Sequence, residues 1–172
     1  MKVIFSHGQE SGPWGSKIKR LADVAVEYGL GVESVDYRGI ADPDHRVESL
    51  LAIINEMHEE VILVGSSMGG YVSLVASEQI EAKGIFLLAP ALFIDGYGKQ
   101  AYRTSHQHLE IVHGWSDEVI PWQNSIRFAQ EANTALHLIP GDHRLNSSIV
   151  TVEALFKGFL AMVMSLNQGR IC

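Results

Sequence analysis

Cysteine is nearly missing from this chain. The one thiol, Cys172, is the last of 172 residues, so no disulfide can form within it. That sets aside the cross-linked frameworks of small secreted domains, and the expected location is the cytoplasm. Positive charge is also scarce: 13 Lys and Arg face 20 Asp and Glu, for a formal charge of −7. Phosphate backbones need a concentrated basic surface, so no nucleic-acid partner is expected. Lys17, Lys19 and Arg20 alone lie close together, and they read as the solvated face of one helix. No apolar run approaches the ~18 residues that span a bilayer. The short run Val3-Ile4-Phe5 is closed by Ser6 and His7 too early for a signal peptide. No membrane partner is expected on this basis. The phosphate-loop string Gly-x-x-x-x-Gly-Lys-Ser/Thr and the dinucleotide string Gly-x-Gly-x-x-Gly do not occur, so no cofactor is indicated. His106 and His108 are two residues apart with no third ligand in evidence, which reads as a surface pair and no metal site.

What is present is an ordinary globular composition, 47% apolar and 19% charged, at a length that suits one domain over residues 1–172. Short β-branched runs alternate with helical periodicity, the pattern of an α/β protein with a parallel sheet. Strands are expected at Val3 to Phe5, Val32 to Val35, Val61 to Val64, Gly84 to Leu88, Leu109 to Val112 and Ala135 to Ile139. Helices are expected from Ser16 to Tyr28, behind the cap signal Asp42-Pro43, after Gly65 as far as Gln79, from Pro121 to Glu131 and from Ser148 to Leu166. The segment from Ala91 to His108 lacks clear periodicity. Its Leu92, Phe93, Tyr97 and Tyr102 suit a small substrate pocket, or the segment is a short helix and a surface loop.

The most informative stretch is Val61-Ile-Leu-Val-Gly-Ser-Ser-Met-Gly-Gly70, which sets Gly65-Ser66-Ser67-Met68-Gly69 between a buried strand and a helix. A Gly-x-Ser-x-Gly turn in that context is a nucleophile elbow. Its serine takes a strained backbone conformation that lifts the hydroxyl clear of the sheet, and the flanking glycines allow the tight turn. A serine hydroxyl needs a His to take its proton and a carboxylate to steady that His. Asp117 follows the fifth strand in His113-Gly-Trp-Ser-Asp117, and His143 follows the sixth in Gly141-Asp-His143. Parallel strands bring all their carboxyl ends to one edge, so the three can meet there. Glu118 and Asp95 compete for the acid role. Trp14, Trp115 and Trp122 fall in or beside loops at that edge, either as pocket walls or as packing for the loop bases.

With these landmarks the chain resembles the α/β-hydrolase superfamily over nearly its whole length. His7-Gly8, the elbow, His113-Gly114…Asp117…Pro121 and Gly141-Asp142-His143 carry the resemblance. More narrowly, His7-Gly-Gln-Glu-Ser-Gly-Pro-Trp-Gly-Ser-Lys17 and Gly65-Ser-Ser-Met-Gly-Gly-Tyr71 are similar to the small, cap-less YqiA-like bacterial esterases. The resemblance implies a three-layer α/β/α sandwich around a mostly parallel sheet of about six strands, without a lid domain. It also implies Ser67, Asp117 and His143 as the triad, Asp117 alone having the family spacing for the acid. His7 and His113 become structural, and the backbone N–H groups of Gln9 and Met68 become the oxyanion donors. The expected activity is hydrolysis of a small-molecule carboxylic ester or thioester through an acyl-enzyme, in a pocket walled by Trp14, Leu92, Phe93 and Trp115. The same triad also serves lyases, acyltransferases and C–C bond hydrolases, and the fold also serves non-catalytic binding proteins. The sequence does not choose between a monomer and a homo-oligomer.

Overall fold

A computed structural model of the chain describes residues 1–104 and 108–168. Among these, six strands form one sheet in which every neighbouring pair is parallel: β1 (Lys2–Ser6), β2 (Gly31–Val35), β3 (Val61–Ser66), β4 (Gly84–Leu88), β5 (Leu109–Gly114) and β6 (Ala135–Ile139), in the order β2-β1-β3-β4-β5-β6. Successive residues of a strand point to opposite faces, and both faces of this sheet are apolar. Ile4, Leu63, Ile85, Leu87 and Ile111 pack on one side with Leu50 of α2 (Pro43–Glu56), Leu74 of α3 (Met68–Ser77) and Phe128 of α4 (Trp122–Ala132). Val3, Phe5, Ile62, Val64, Phe86 and Val112 pack on the other with Leu21 of α1 (Ser16–Glu27) and Phe156 and Phe159 of α5 (Ile149–Gln168). The central strands are therefore near-continuous apolar runs, as sheets covered on both faces require. The three-layer sandwich implied by the resemblance is the observed architecture.

The helix starts follow local chemistry. Asp42 caps α2 by accepting the Asp44 and His45 N–H groups at 2.8 and 3.0 Å, with Pro43 at the first helical position, a cap worth about 1 kcal/mol. Together α5 and the 3₁₀ turn before it, Asn146–Leu166, are long and apolar enough by length and composition to cross a membrane, which corrects the expectation that no such stretch exists. Here one side of α5 is core: Val152, Phe156, Phe159, Leu160 and Val163 are buried against the sheet. Among the described residues of the segment 91–108 there is no helix. It runs as turns pinned by Asn124 Nδ2 donating to Leu92 O (2.7 Å), Phe93 N–H to Tyr102 Oη (3.1 Å) and Gly98 N–H to Asp44 Oδ2 (3.0 Å). His106 and Cys172 lie outside the described residues.

The strand order fixes where a site can form. From β1 the chain moves outward to β2, then returns to the far side of β1 for β3. The loops leaving β1 and β3 thus diverge at the carboxyl edge, and such a switch point is where open α/β sheets bind ligands.

Candidate active site

The loop after β3 is the elbow. Ser67 has φ 56° and ψ −123°, a conformation that non-glycine residues seldom take and that costs on the order of 1–3 kcal/mol. It persists because its surroundings leave no alternative. A Cβ on Gly65 would lie 2.2 Å from the Gly69 carbonyl oxygen, and one on Gly69 would lie 2.0 Å from that of Ser6. The turn is also stitched to its neighbours. Ser67 N–H donates to Leu88 O (3.0 Å), while Ser67 O accepts from Gly70 N–H (2.9 Å) and Ala91 N–H (3.0 Å).

Two later loops complete the constellation. His143 Nε2 stands 3.0 Å from Ser67 Oγ, and His143 Nδ1 is 2.7 Å from Asp117 Oδ2. The carboxylate can only accept, so the His143 proton sits on Nδ1 and the Nε2 lone pair faces the serine hydroxyl. Asp117 Oδ1 accepts the Val119 and Ile120 N–H groups at 2.8 Å each. Burial pushes the Asp117 carboxyl up. The Ile120 N–H, the His143 ring and the Val119 N–H outweigh it and hold the group below the usual carboxylate range. The competing acids do not meet His143: Asp95 is exposed outside the cleft lining, and Glu118 is exposed on the cleft wall, while His143 Nδ1 bonds Asp117. A second histidine shares the same carboxylate oxygen. His113 Nε2 lies 2.9 Å from Asp117 Oδ2 and 3.2 Å from Ile120 O, both acceptors, so it carries the proton, and His113 Nδ1 accepts from Ser125 Oγ–H at 2.8 Å. Burial pushes this imidazole below its ordinary value, which keeps it neutral. The sequence marks His113 only as structural; nothing in its local pattern says that it steadies the acid.

Above the serine lies an open cleft of about 750 Å³. The loop from Gly8 to Lys17 bounds one side, the elbow forms the floor, and the turns 116–120 and 142–146 close the other. Gln9 and Met68 both line it beside Ser67. Gly8 abuts the serine, since a Cβ built on it would be 3.3 Å from Ser67 Cβ. The four expected pocket walls are placed differently. Leu92 is fully buried in the core, and Phe93 packs under the Arg127 guanidinium, 3.8 Å from its ring centre. Trp14 is 42% exposed, and Trp115, 49% exposed, stands edge-on against Trp122. None of the four is among the cleft-lining residues, whereas Ala91 and Tyr97 of the irregular segment are. Lys17 is a further correction. Lys19 is exposed and Arg20 pairs with Glu153, but Lys17 is half-buried and lines the cleft, and that burial lowers its ammonium to about 8. Among the described residues no group of three or more His, Cys, Asp and Glu side chains is arranged to hold a metal ion.

Comparison with known proteins agrees with this fold. The sequence profile of the family described as "Uncharacterised protein family (UPF0227)" matches residues 2–96. A protein of known structure from Xanthomonas campestris pv. campestris, assigned to the alpha/beta hydrolase superfamily, is 30% identical with a TM-score of 0.86 over 94% of this chain and 98% of its own. Est1E from Butyrivibrio proteoclasticus has the same fold, with a TM-score of 0.81 at 20% identity over 95% of this chain and 88% of its own. The mitochondrial palmitoyl-protein thioesterase ABHD10 of Mus musculus is 24% identical over 204 positions, covering 83% of this chain and 69% of its own length.

Proposed function

The chain belongs to the UPF0227 family, and so to the α/β hydrolases, and we propose that it is a serine hydrolase of carboxylic esters or thioesters. One observation carries this reading: the unbroken line Ser67 Oγ–His143 Nε2 (3.0 Å) and His143 Nδ1–Asp117 Oδ2 (2.7 Å), with the serine on a strained turn at the floor of a cleft. Such a line has a defined chemical capacity. Ser67 Oγ attacks the acyl carbon while His143 Nε2 takes its proton, and Asp117 stabilises the imidazolium that forms. The Gln9 and Met68 N–H groups receive the oxyanion, and a preorganised donor of this kind is worth about 3 kcal/mol of barrier. His143 then passes the proton to the leaving alcohol or thiol. Water, activated by the same nitrogen, attacks the acyl-enzyme, and Ser67 leaves with its proton restored.

The openness of the cleft favours small or water-soluble acyl substrates, with no jump in rate at an oil–water interface. The thioesterase name of the mouse relative makes thioesters the first class to set beside oxygen esters. A reducing compartment suits a chain with one cysteine. Because that relative is named as mitochondrial, cell fractionation is the test of a cytoplasmic location.

The decisive assay is initial rates on p-nitrophenyl esters and acyl thioesters of increasing chain length, with Ser67→Ala beside wild type. Turnover that disappears in the variant supports the reading. Turnover that survives it, or product formed without net addition of water, replaces it with a different chemistry.

A further inference from the structure

The two proposed oxyanion donors are held in unequal ways. Met68 is the first residue of α3, so regular structure aims its N–H. Gln9 lies in an irregular turn between β1 and α1. Its N–H belongs to the same planar peptide unit as the carbonyl of Gly8, and the two ends of a trans peptide point in opposite directions. Whatever anchors Gly8 O therefore aims the Gln9 N–H.

Three donors converge on that oxygen: His7 Nδ1 at 2.7 Å, Arg46 Nη1 at 3.3 Å and Ser11 Oγ at 3.4 Å. His7 is locked from its other side, where Nε2 accepts the Tyr37 N–H at 3.0 Å and so leaves the proton on Nδ1. Arg46 reaches the site from α2, 38 residues along the chain. Its Nη1 also donates to His7 O at 3.4 Å, and its Nε donates to Ile40 O at 2.6 Å. Only 2% of Arg46 is exposed, and its guanidinium lies over the Tyr37 ring at 5.3 Å. Among the described residues no carboxylate pairs with it, and the ionisable groups whose charges interact with it include Tyr37, Tyr97 and His7. A buried cation without a counter-charge costs stability. A mere carbonyl clamp needs only a neutral donor such as glutamine.

We propose that Arg46 is a positioning residue for the oxyanion hole. It ties the Gly8–Gln9 peptide carbonyl into the protein so that the Gln9 N–H faces the cleft beside Ser67, and its unpaired charge polarises that peptide toward a developing oxyanion. Charge-assisted hydrogen bonds are the stronger kind, and a donor whose own carbonyl is engaged becomes a better donor. The inference rests on the serine-hydrolase reading and goes beyond it by assigning a task to a residue on the far side of the loop from substrate.

The test expresses every rate per serine titrated to completion with a fluorophosphonate, which removes differences in folded fraction. Arg46→Met is expected to lower kcat by about 30- to 100-fold, a little less than the loss of a whole oxyanion donor, with KM within about twofold. Affinity for butaneboronic acid, which forms a tetrahedral adduct on the serine, is expected to fall by the same factor as kcat/KM. Affinity for the planar butanamide is expected to stay unchanged. A purely structural role would move the melting temperature and leave this split absent. Should Arg46→Met fail to fold, Arg46→Lys keeps the charge but loses the fork that spans Ile40, His7 and Gly8. It is expected to lose about 5- to 10-fold in both kcat and boronate affinity. Wild-type kcat and boronate affinity in whichever variant folds, or a loss confined to KM, overturns the inference and leaves the serine reading standing. Wild-type protein with no Ser67-dependent turnover and no fluorophosphonate labelling removes that reading, and the inference with it.

Discussion

Asp117 has a histidine and a serine on each side of it, and the two sides are near mirror images in hydrogen bonding. Toward the cleft, Oδ2 meets His143 Nδ1 at 2.7 Å, and His143 Nε2 meets Ser67 Oγ at 3.0 Å. Toward the interior, the same oxygen meets His113 Nε2 at 2.9 Å, and His113 Nδ1 meets Ser125 Oγ at 2.8 Å. Both arms are Asp–His–Ser lines with comparable distances. They differ in backbone and access. Ser67 sits on an elbow at φ 56° over an open cleft, whereas Ser125 is an ordinary residue of α4 with no exposed surface. The rings are also reversed. His143 donates to the carboxylate from Nδ1 and accepts from its serine at Nε2, whereas His113 donates from Nε2 and accepts at Nδ1. On the proposed reading, strain and solvent access set the triad apart from a structural brace, since the hydrogen bonds of the two arms are alike.

Removing the cleft arm should have the larger kinetic effect. On the proposed mechanism His143→Ala lowers kcat by about 10⁴-fold, because the serine loses its base. The melting temperature should fall by less than on losing the interior histidine. His143 keeps 19% of its side chain exposed at the cleft, where water can replace it, and His113 is fully buried. Steady-state hydrolysis and a thermal melt read both numbers. A loss below about tenfold would mean that the cleft arm is no more than a second brace.

The interior arm should show the reverse. His113→Ala leaves Asp117 Oδ2 and Ser125 Oγ short of a partner in a buried site and opens a cavity. A destabilisation of about 2–4 kcal/mol is expected, with kcat down about tenfold as the carboxylate loosens. Ser125→Ala removes the outermost link alone and should cost about 1 kcal/mol with kcat unchanged. Denaturant melts beside the ester assay separate the two arms. If His113→Ala matched His143→Ala in kcat at native stability, the distinction between them would fail.

How far the sequence discloses such a site depends on whether a constraint is local. The elbow is legible because Gly65 and Gly69 meet backbone atoms at distances no side chain tolerates, and such a requirement leaves its mark within five residues. The sheet is legible because strands covered on both faces must be apolar throughout. Contacts between distant residues leave no such mark. Arg46 resembles any charged residue in a helix until α2 sets it beneath Gly8. Leu92 and Phe93 share the composition of a pocket wall, yet the turns pinned by Asn124 and Tyr102 send one into the core and the other under Arg127. Trp14 and Trp115 lie at the expected edge, but the cleft opens between other residues of their loops. Lys17 shares with Lys19 and Arg20 only its proximity in sequence. Helix side chains lean toward the helix N-terminus, and the first turn of α1 lies at the carboxyl edge, so Lys17 reaches back to the cleft while its neighbours do not.

Lys17 gives the smallest expected effect and the finest test of how far the cleft side is shielded from water. Burial lowers its ammonium to about 8 from an ordinary value near 10.5, against the opposing pull of Asp142 and Asp117. Between those two values the unfolded chain holds a proton that the folded chain has released, so stability rises with pH across that window. Below it both states are charged, and the folded state bears the full cost of an underhydrated cation. Part of the side chain still reaches water, so only part of that cost applies. Lys17→Met should then stabilise the protein by about 1 kcal/mol at pH 7, seen as a rise of a few degrees in melting temperature. The gap should narrow as pH passes 8 and close near 10.5, where the wild-type lysine is neutral in both states. A gap that is absent at every pH would mean that water reaches the ammonium freely, and that the cleft is more open on the α1 side than the burial of Lys17 implies.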